Sequence, residues 1–574
     1  MISFNQLKKN LQKKNESLKT IRLAILADTA SQLLTQAIKG YGIEMGICFD
    51  IYEAEYDQIQ QEVFNRKSAL FDFKADFVFI NFSTEHLLKK FYDTARADRL
   101  HFAEQEAAYI DSICHTVTTN SKSNIIINTF IEINDDVFGN YAAREKKSFI
   151  YQLRKLNMQL MELSQSHQNL YISDLLSLQS QVGYGFVFDP KMYINADMVY
   201  SLDFLPYIAK TVTDIVLSVN GIFKKCIILD LDNTLWGGII GDDGMEGIEL
   251  GTLGLGKAFS QLQRWLKELK ERGILLAVCS KNTEEIAKEP FLDHPDMILR
   301  LQDIALFVAN WENKVDNIIY IQSVLNIGFD SMVFIDDNPF EREMVKTAIP
   351  SITVPDMPED PAEYLQYLRS LHLFETASLT EEDEQRTMLY QQEASRVQMQ
   401  NEYANEEEFL ESLEMFAEVK TFDSFTAPRI AQLTQRSNQF NLRTIRYTES
   451  EIVEIMQSPE WYTLSFTLED KFGKHGLISA IILKDIGNGN LFIDTWIMSC
   501  RVLKRGMEKF TLNAVATLAK EKGFKKITGE YIPTKKNGLV KDHFAGLGFL
   551  SLNGTGWELN VENYTPQKNY IKSK

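Results

Sequence analysis

Residues 226–238 read CIILDLDNTLWGG, and this stretch decides the fold of the central part of the chain. A continuous apolar run ends in Asp230, and a second acid, Asp232, follows two positions later. Continuous rather than alternating apolar residues are typical of a strand in a parallel sheet that is covered on both faces. Because ligands bind at the carboxyl ends of such strands, the two acids predict a functional site at this end of the sheet.

A pattern of strands and helices continues after this stretch. Residues 257–273, KAFSQLQRWLKELKERG, place their apolar side chains on one helical face and end in Gly273, which suits a helix C-terminus. Residues 274–280, ILLAVCS, and residues 331–337, SMVFIDD, are further continuous apolar runs. This alternation predicts a central Rossmann-like α/β domain with a parallel sheet.

The composition limits the class of protein. A chain of 574 residues is too long for one hydrophobic core, and at roughly 100–200 residues per domain it predicts three or four domains. The formal net charge of −19 argues against binding to nucleic acid. The five cysteines form no CxxC pair, so we expect reduced thiols rather than a disulfide framework or a zinc site. We find no signal peptide and no apolar run long enough to span a bilayer, and therefore expect a cytoplasmic protein.

Four acids are expected to share one edge of the predicted sheet. Asp336 and Asp337 end the run SMVFIDD, just as Asp230 and Asp232 end the first run. Ionised carboxylates in one crevice repel each other, and a hard divalent cation relieves that repulsion. Since Mg²⁺ prefers oxygen ligands, the sequence predicts a magnesium site.

Groups that suit a phosphoryl ligand follow at the same edge. Ser280 ends the run ILLAVCS and precedes Lys281 and Asn282, while Lys314 begins a predicted helix. A hydroxyl and an ammonium near a metal ion supply the hydrogen bonds and positive charge that non-bridging phosphoryl oxygens need. The pattern therefore favours a small phosphorylated metabolite as substrate.

The ordered set of these residues resembles the four motifs of the haloacid dehalogenase (HAD) superfamily. The motifs are Asp230-x-Asp232-x-Thr234, Ser280, Lys314 and Asp336-Asp337. The resemblance implies that Asp230 is the nucleophile and that Asp232 is the general acid and base. It also implies that Asp230, the backbone carbonyl of Asp232, and Asp336 hold Mg²⁺. The residues implied to bind the phosphoryl group are Thr234, Ser280, Lys281, Asn282 and Lys314.

Longer stretches resemble the FkbH-like branch of this superfamily. They include DLDNTLWGGIIGDDG, NWENK, FIDDNPFERE and LTQRSNQFNLRT, and the resemblance covers roughly residues 220–550, with weaker likeness upstream. It implies removal of phosphate from 1,3-bisphosphoglycerate, a glyceryl thioester, and transfer to an acyl carrier protein supplied as a separate chain. The alternative is a phosphatase for a phosphorylated sugar or intermediate in polysaccharide biosynthesis. A third hypothesis is a non-catalytic assembly module that retains the HAD fold.

By this resemblance, Cys226 is the candidate thiol for the glyceryl group. It precedes Asp230 by four residues and shares its face of the strand, but lies roughly 13 Å back along an extended chain. Cys279 is next to Ser280 and points to the opposite face. A buried apolar thiol in the sheet core is the alternative for both cysteines.

The predicted phosphatase domain has no room for a large cap. Only residues 235–254, LWGGIIGDDGMEGIELGTLG, separate the first motif from the next predicted helix. The site is therefore expected to be open, with Trp236, Gly237 and Gly238 lining its entrance, and a flanking domain is the candidate lid.

The two ends of the chain show weaker resemblances. Residues 499–524 resemble the acyl-CoA loop and helix of GNAT acyltransferases, which implies a site for CoA or a phosphopantetheine thioester at Arg501, Arg505 and Gly506. Glu508 and Phe544 depart from that pattern, because a glutamate disfavours an anion and the usual tyrosine acid is missing.

Residues 25–34, ILADTASQLL, resemble SGNH hydrolases, with Thr29 in the place of the nucleophilic serine, so a scaffolding or docking domain is expected. The predicted architecture is α/β and multi-domain. Its parts are an SGNH-like domain at 1–220, a HAD phosphatase-like domain at 221–373, a solvated helical linker at 374–413, and a GNAT-like mixed α/β domain at 414–574.

Overall fold

The computed structural model divides into two compact units, Met1–Ser218 and Val219–Lys574. In the described parts of the chain, no helix is both long enough and apolar enough to cross a membrane. The described residues are 1–13, 18–379, 383, 385–400, 403, 405–437, 439–499, 502–534, 537–552 and 554–574.

The first unit is built on a parallel sheet with the order β2-β1-β3-β4-β5. Its inner strand β3 is buried along its whole length, as expected for a sheet covered on both faces. The strands are β1 (Lys19–Ala27), β2 (Ile47–Glu53), β3 (Phe77–Asn81), β4 (Asn124–Asn128) and β5 (Leu170–Ser173). The helices are α1 (Phe4–Asn10), α2 (Gln32–Glu44), α3 (Ile59–Phe64), α4 (Ala69–Phe73), α5 (Thr84–Asp93), α6 (Phe102–Asn120), α7 (Phe149–Ser166), α8 (Leu175–Val182), α9 (Tyr184–Val187), α10 (Pro190–Ala196) and α11 (Leu205–Val219).

The second unit begins with the parallel sheet that the opening stretch predicts. Ile227 and Leu229 pack into one hydrophobic cluster and Cys226 and Ile228 into another, so the first strand is buried on both faces. The strand order is β8-β7-β6-β9, with β6 (Cys226–Leu229), β7 (Leu275–Ser280), β8 (Ile304–Ala309) and β9 (Met332–Ile335). The helices are α12 (Ile240–Gly247), α13 (Gly254–Glu271), α14 (Glu284–Asp293), α15 (Lys314–Leu325), α16 (Pro339–Ala348) and α17 (Pro361–Ser370).

The C-terminal part contains a mixed sheet, which confirms the predicted mixed α/β class. Most neighbouring strands are antiparallel, whereas β13 pairs with β14 and β10 with β17 in parallel. The order is β15-β16-β14-β13-β12-β11-β10-β17. The strands are β10 (Met415–Lys420), β11 (Trp461–Asp470), β12 (Gly473–Asp485), β13 (Asn490–Met498), β14 (Lys526–Glu530), β15 (Leu550–Ser551), β16 (Gly556–Asn560) and β17 (Ile571–Ser573). The helices are α18 (Arg386–Gln400), α19 (Glu406–Ser412), α20 (Ala427–Arg436), α21 (Glu449–Gln457), α22 (Met507–Glu521) and α23 (His543–Gly546).

The prediction of a solvated linker is wrong for α18. Tyr390 and Ala394 are buried in the hydrophobic cluster that covers one face of the central sheet. Arg396 is 2% exposed, and its Nε donates to Asp470 Oδ2 at 2.7 Å. The charged composition suggested a solvated surface, but it could not reveal a buried carboxylate that lies 74 residues further along the chain.

Candidate active site

Three strand ends and one helix start bring the predicted site residues together. Asp230 directly follows β6, Ser280 ends β7, and Asp336 directly follows β9. Because β6 pairs with both β7 and β9 in parallel, these three positions meet at one edge of the sheet. Lys314 is the first residue of α15, whose start is fixed by Asn313, since its Oδ1 accepts from the Val315 N–H at 2.8 Å.

Lys314 connects two of the carboxylates. Its Nζ lies 2.6 Å from Asp336 Oδ2 and 3.0 Å from Asp230 Oδ2, and all three side chains are buried. Burial by itself lowers the pKa of Lys314, but the two carboxylates outweigh it and hold the pKa above its usual value. The ammonium therefore stays charged and fixes both carboxylates.

The acids at this edge carry more negative charge than Lys314 can balance. Carboxylate oxygens of Asp230, Asp336 and Asp337 all lie within 4.8 Å of one another. Burial, and then the Asp230 carboxylate, raise the pKa of both Asp336 and Asp337. Two buried carboxylates and a partly buried one, crowded together, form a set of oxygen ligands that fits a hard divalent cation. Asp337 joins this cluster, although the family motif assigns the metal-binding role to its neighbour Asp336.

Asp232 is held apart from this cluster. Its Oδ1 accepts from Trp236 Nε1–H at 2.9 Å and from the Ile240 N–H at 3.1 Å, and its Oδ2 accepts from Asn282 Nδ2–H at 3.2 Å. Burial raises the pKa of Asp232, although these hydrogen bonds oppose the shift. The arrangement gives two neighbouring carboxylates different environments, as a nucleophile and an acid require.

Trp236 is the residue whose position sequence reasoning missed. It was predicted to line an open entrance, but it is fully buried, 5.9 Å from the ring of Phe291, so that prediction is wrong. The segment turns inward here because Gly237 packs closely against Glu249 and Phe259, each only 3.0 Å from where a Cβ would lie. Gly238 is partly exposed and has a φ of +87°, which favours glycine.

The other predicted phosphate ligands are at or next to this edge, and their roles stay predictions. Thr234 is buried, and its hydroxyl accepts from the Asp337 N–H at 3.1 Å, so it positions the loop that carries Asp337. Ser280 and Asn282 are buried. Lys281 is partly exposed, and its Nζ donates to Glu341 Oε1 at 2.6 Å, a partner that the sequence did not indicate.

Replacing Trp236 with phenylalanine removes one of the three donors to Asp232 while keeping an aromatic ring. We expect kcat for an alkyl phosphate to fall about tenfold with little change in KM. The loss should be smaller for 4-nitrophenyl phosphate, whose leaving group needs no proton. Steady-state phosphate release with both substrates measures this difference. Trp265→Phe is the matched control, because the Trp265 ring packs on Phe374 in another part of the domain. Equal losses with both substrates would contradict a role in positioning Asp232.

The candidate thiols are not accessible, although the Cys279 thiol donates to the Lys314 backbone carbonyl at 3.8 Å. Cys226 and Cys279 are both fully buried in the same hydrophobic cluster, and burial raises the pKa of each thiol to about 12. The structure therefore contradicts the interpretation of Cys226 as an accessible acyl thiol. Because Cys226 precedes Asp230 by an even number of residues, the two side chains lie on the same face of the strand. Cys226 is nevertheless at the start of β6, in the core, whereas Asp230 is at the carboxyl edge of the sheet.

The predicted carrier-binding loop is also occupied by the chain itself. The Arg505 side chain is buried, where it contacts Glu393 and lies 3.4 Å from Asp470 Oδ2, so it is not available to a thioester arm. Glu508 Oε1 accepts from the Lys504 N–H at 3.4 Å, close to Gly506, the residue that precedes α22. Arg501 lies outside the described residues. Phe544 packs closely on Gly529 and is buried, as expected for a core aromatic residue.

In the first unit, Thr29 is buried beside Asp28 at the end of β1. A catalytic role for this position is not expected, and the resemblance to SGNH hydrolases stays a prediction.

Comparisons with known proteins place the chain in a family. The model of the FkbH N-terminal domain matches residues 22–217, the segment in which we found only weaker likeness to FkbH-like proteins. A crystal structure of the N-terminal part of the protein BF1531 from Bacteroides fragilis, which contains a phosphatase domain complexed with Mg, is 46% identical. It covers 66% of this chain and 100% of its own, with a TM-score of 0.64.

Similarities at the C-terminal part are much weaker. The ribosomal-protein-S18-alanine N-acetyltransferase from Escherichia coli is 12% identical, covering 26% of this chain and 99% of its own with a TM-score of 0.20, and this similarity carries no functional argument. The search of curated proteins finds no match. The 46% identity over the whole of the Bacteroides fragilis structure and the match to the FkbH N-terminal domain agree with each other. The chain therefore belongs to the FkbH-like family of proteins with a HAD-type phosphatase domain.

Proposed function

We propose that this protein is a Mg²⁺-dependent phosphohydrolase or phosphotransferase that acts on a small phosphorylated metabolite. The observation that carries the proposal is the separation of two acids at one sheet edge. Asp230 lies 3.0 Å from the Lys314 ammonium, whereas Asp232 is held by Trp236, Ile240 and Asn282. One carboxylate thus lies beside a cation, and the other is held by hydrogen bonds where a proton can be given and taken.

Asp230, Asp336 and Asp337 are the residues that would hold the metal ion. Their crowding supports this assignment, as does the Mg complex of the related Bacteroides fragilis phosphatase domain. The ion would supply positive charge to the non-bridging oxygens of the phosphoryl group. The Asp232 carbonyl also stays a predicted ligand.

The chain's own residues would carry out the reaction in two displacements. Asp230 attacks phosphorus, the bond to the leaving oxygen breaks, and Asp232 gives that oxygen its proton. In the second displacement, water or an acceptor hydroxyl attacks the phosphorus of the aspartyl phosphate, and Asp232 takes the proton of the attacking group. The bond between phosphorus and Asp230 breaks, which frees the Asp230 carboxylate. Lys314 holds Asp230 in place, and Ser280 offers a hydroxyl to the phosphoryl oxygens.

Phosphate release from a panel of small phosphate esters, including sugar phosphates, tests the proposal. We expect activity that chelation with EDTA removes and that added Mg²⁺ restores, because the acid cluster without a divalent cation repels an anionic substrate. Added Ca²⁺ should restore little, since its larger and more flexible coordination suits the site less well. Undiminished activity in EDTA would contradict a metal-dependent reaction, and background release in every condition would favour the assembly module.

The buried position of Cys226 favours simple phosphate transfer over a glyceryl thioester. Among the described cysteines, Cys48 and Cys114 belong to the first unit, and Cys226 and Cys279 are buried in the core of the second. The transfer of an acyl group to a carrier protein therefore lacks an accessible thiol at the site among the described cysteines. Phosphorylated sugars or related intermediates are accordingly the substrates that we propose.

Cys226→Ala is expected to leave phosphate release within about twofold of wild type, because a core thiol four residues from the site makes no contact with substrate. Intact mass spectrometry after incubation with 1,3-bisphosphoglycerate should show no glyceryl adduct that depends on Cys226. Cys48→Ala is the matched control for a half-buried thiol. An adduct that is present in wild type and Cys48→Ala but lost in Cys226→Ala would restore the thioester hypothesis.

A further inference from the structure

A cavity of about 350 Å³ lies at the carboxyl edge of the sheet in the first unit. Its volume falls within the roughly 300–1,000 Å³ that is usual for small-molecule sites. The proposed phosphatase chemistry does not use any of the residues that line it.

The topology of the sheet singles out this place. Asp28 directly follows β1, and Ser83 follows the end of β3 by two residues, so both come from carboxyl ends of strands. In the strand order β2-β1-β3, the strand that follows β1 in sequence lies on one side of β1, and the next strand, β3, lies on its other side. The direction of the connections therefore reverses at β1. Ligands of open parallel sheets bind at such a switch point.

Asp28 gives the cavity a buried polar wall. It is 8% exposed, and its two carboxylate oxygens accept from the Ser83 N–H at 3.0 and 2.9 Å. Burial raises the pKa of Asp28 to about 8; the bonds from Ser83 oppose this, and the neighbouring Asp57 and Glu85 carboxylates add to it. Asp28 is therefore largely protonated near neutral pH when the cavity is empty, and a cation bound beside it would favour its ionised form.

The charges of the lining do not balance. The lining contains the acids Asp28, Asp57 and Glu106 and the lysine Lys90. Lys90 Nζ lies 2.7 Å from Glu106 Oε2, so that pair neutralises itself. His86, the other basic lining residue, lies 3.4 Å from Asp197, an acid outside the lining. No base of the lining is paired with Asp28 or Asp57 in the contacts described, so this part of the wall suits a cation better than an anion.

The remaining lining indicates an organic cation rather than a metal ion. Among the described residues here, no three acidic or histidine ligand atoms lie within 4.8 Å of one another. Apolar side chains, among them the stacked rings of Phe82 and Phe130 at 6.2 Å, form another part of the wall. An apolar wall of this kind can pack against the carbon skeleton of an organic ligand, as in most small-molecule sites.

We propose that this cavity binds a small organic cation, with a primary ammonium group between Asp28 and Asp57 and its carbon skeleton against Phe82 and Phe130. The proposal is independent of the phosphatase function, because it concerns binding in the first unit alone.

Three probes of equal size and different charge test it: n-butylammonium, butan-1-ol and butyrate. Binding to the full chain is followed by saturation-transfer NMR and titration. We expect n-butylammonium to bind at least about tenfold more tightly than butan-1-ol, and butyrate not to bind, because only the cation gains charge-assisted hydrogen bonds.

Asp57→Asn is the decisive variant. Asp57 is exposed and has a φ of +52°, which asparagine tolerates, so the variant is expected to fold. It should weaken n-butylammonium binding about tenfold, while Asp203→Asn, an exposed acid outside the lining, should not. Asp28→Asn should act in the same direction, with thermal denaturation as the check on its fold.

Unchanged affinity in Asp57→Asn, equal binding of butyrate, or no binding of n-butylammonium would each overturn the proposal. Phosphate release by the same variants is measured in parallel. Loss or retention of phosphate release bears only on the proposed phosphatase function. A failure of the cation-binding proposal can therefore be told apart from a failure of the phosphatase proposal.

Discussion

Asp230→Asn is expected to lower kcat for phosphate release by about 10⁴-fold, the size of effect seen when a nucleophile is removed. Asparagine has nearly the same shape and can still accept a hydrogen bond from Lys314, which lies 3.0 Å from Asp230 Oδ2. The amide does not attack phosphorus and is a poor ligand for a divalent cation. Phosphate release under saturating substrate and Mg²⁺ measures the loss, and rapid-quench labelling should show no phosphoenzyme in the variant.

Asp316→Asn is the matched control for this change. Asp316 is an exposed acid in the first turn of α15, two residues after Lys314, so the variant loses the same charge close to the site. We expect it to retain wild-type activity within about twofold, since surface substitutions have small effects. Equal activity of wild type and Asp230→Asn would refute the nucleophile assignment, and equal background release would support an assembly module.

Lys314→Met is expected to lower both activity and stability. The ammonium lies 2.6 Å from Asp336 and 3.0 Å from Asp230, and its loss leaves two buried carboxylates without their cation. Breaking one side of a buried ion pair costs about 3–5 kcal/mol in the free energy of unfolding. We expect kcat to fall about 10²–10³-fold, because a positive group next to the transferring phosphoryl is also lost.

Added Mg²⁺ should raise the thermal midpoint of Lys314→Met more than that of wild type, since the ion then replaces the missing charge among the same acids. Differential scanning calorimetry with and without Mg²⁺ measures this. Lys288→Met is the control, because Lys288 forms a surface pair with Glu284 that contributes only about 0.5 kcal/mol or less. An equal Mg²⁺ response in wild type and Lys314→Met would contradict the view that the ion and Lys314 balance the same carboxylates.

Much of the candidate site could be predicted from the sequence because its residues are tied to strand ends. Asp230, Ser280 and Asp336 each end or follow a continuous apolar run, and parallel strands place those ends at one edge. The order of the motifs therefore predicts the neighbourhood without a contact being known. The fold class follows in the same way, since the apolar runs of β6, β7 and β9 are buried throughout.

The sequence-based predictions that are wrong concern residues whose environment depends on distant parts of the chain. Trp236 has a sequence position that suits a surface entrance, yet its ring is buried and its N–H is used by Asp232. Arg396 has a charged neighbourhood in sequence, yet its guanidinium is buried against Asp470. Neither partner is predictable from local periodicity, because the pairing depends on how separate elements pack.

The sequence by itself determined the parallel sheet, the identity of the acids at its edge and the kind of chemistry they suit. Runs of apolar residues and the acids that end them are local features, and the geometry of a parallel sheet converts them into neighbours. Only the tertiary structure decided which carboxylates share Lys314, which one is held by Trp236 and Asn282, and that Cys226 is closed off in the core. The physical reason is that burial and the hydrogen bonds of each group arise from residues far away in the chain, and these set its charge and its access to substrate.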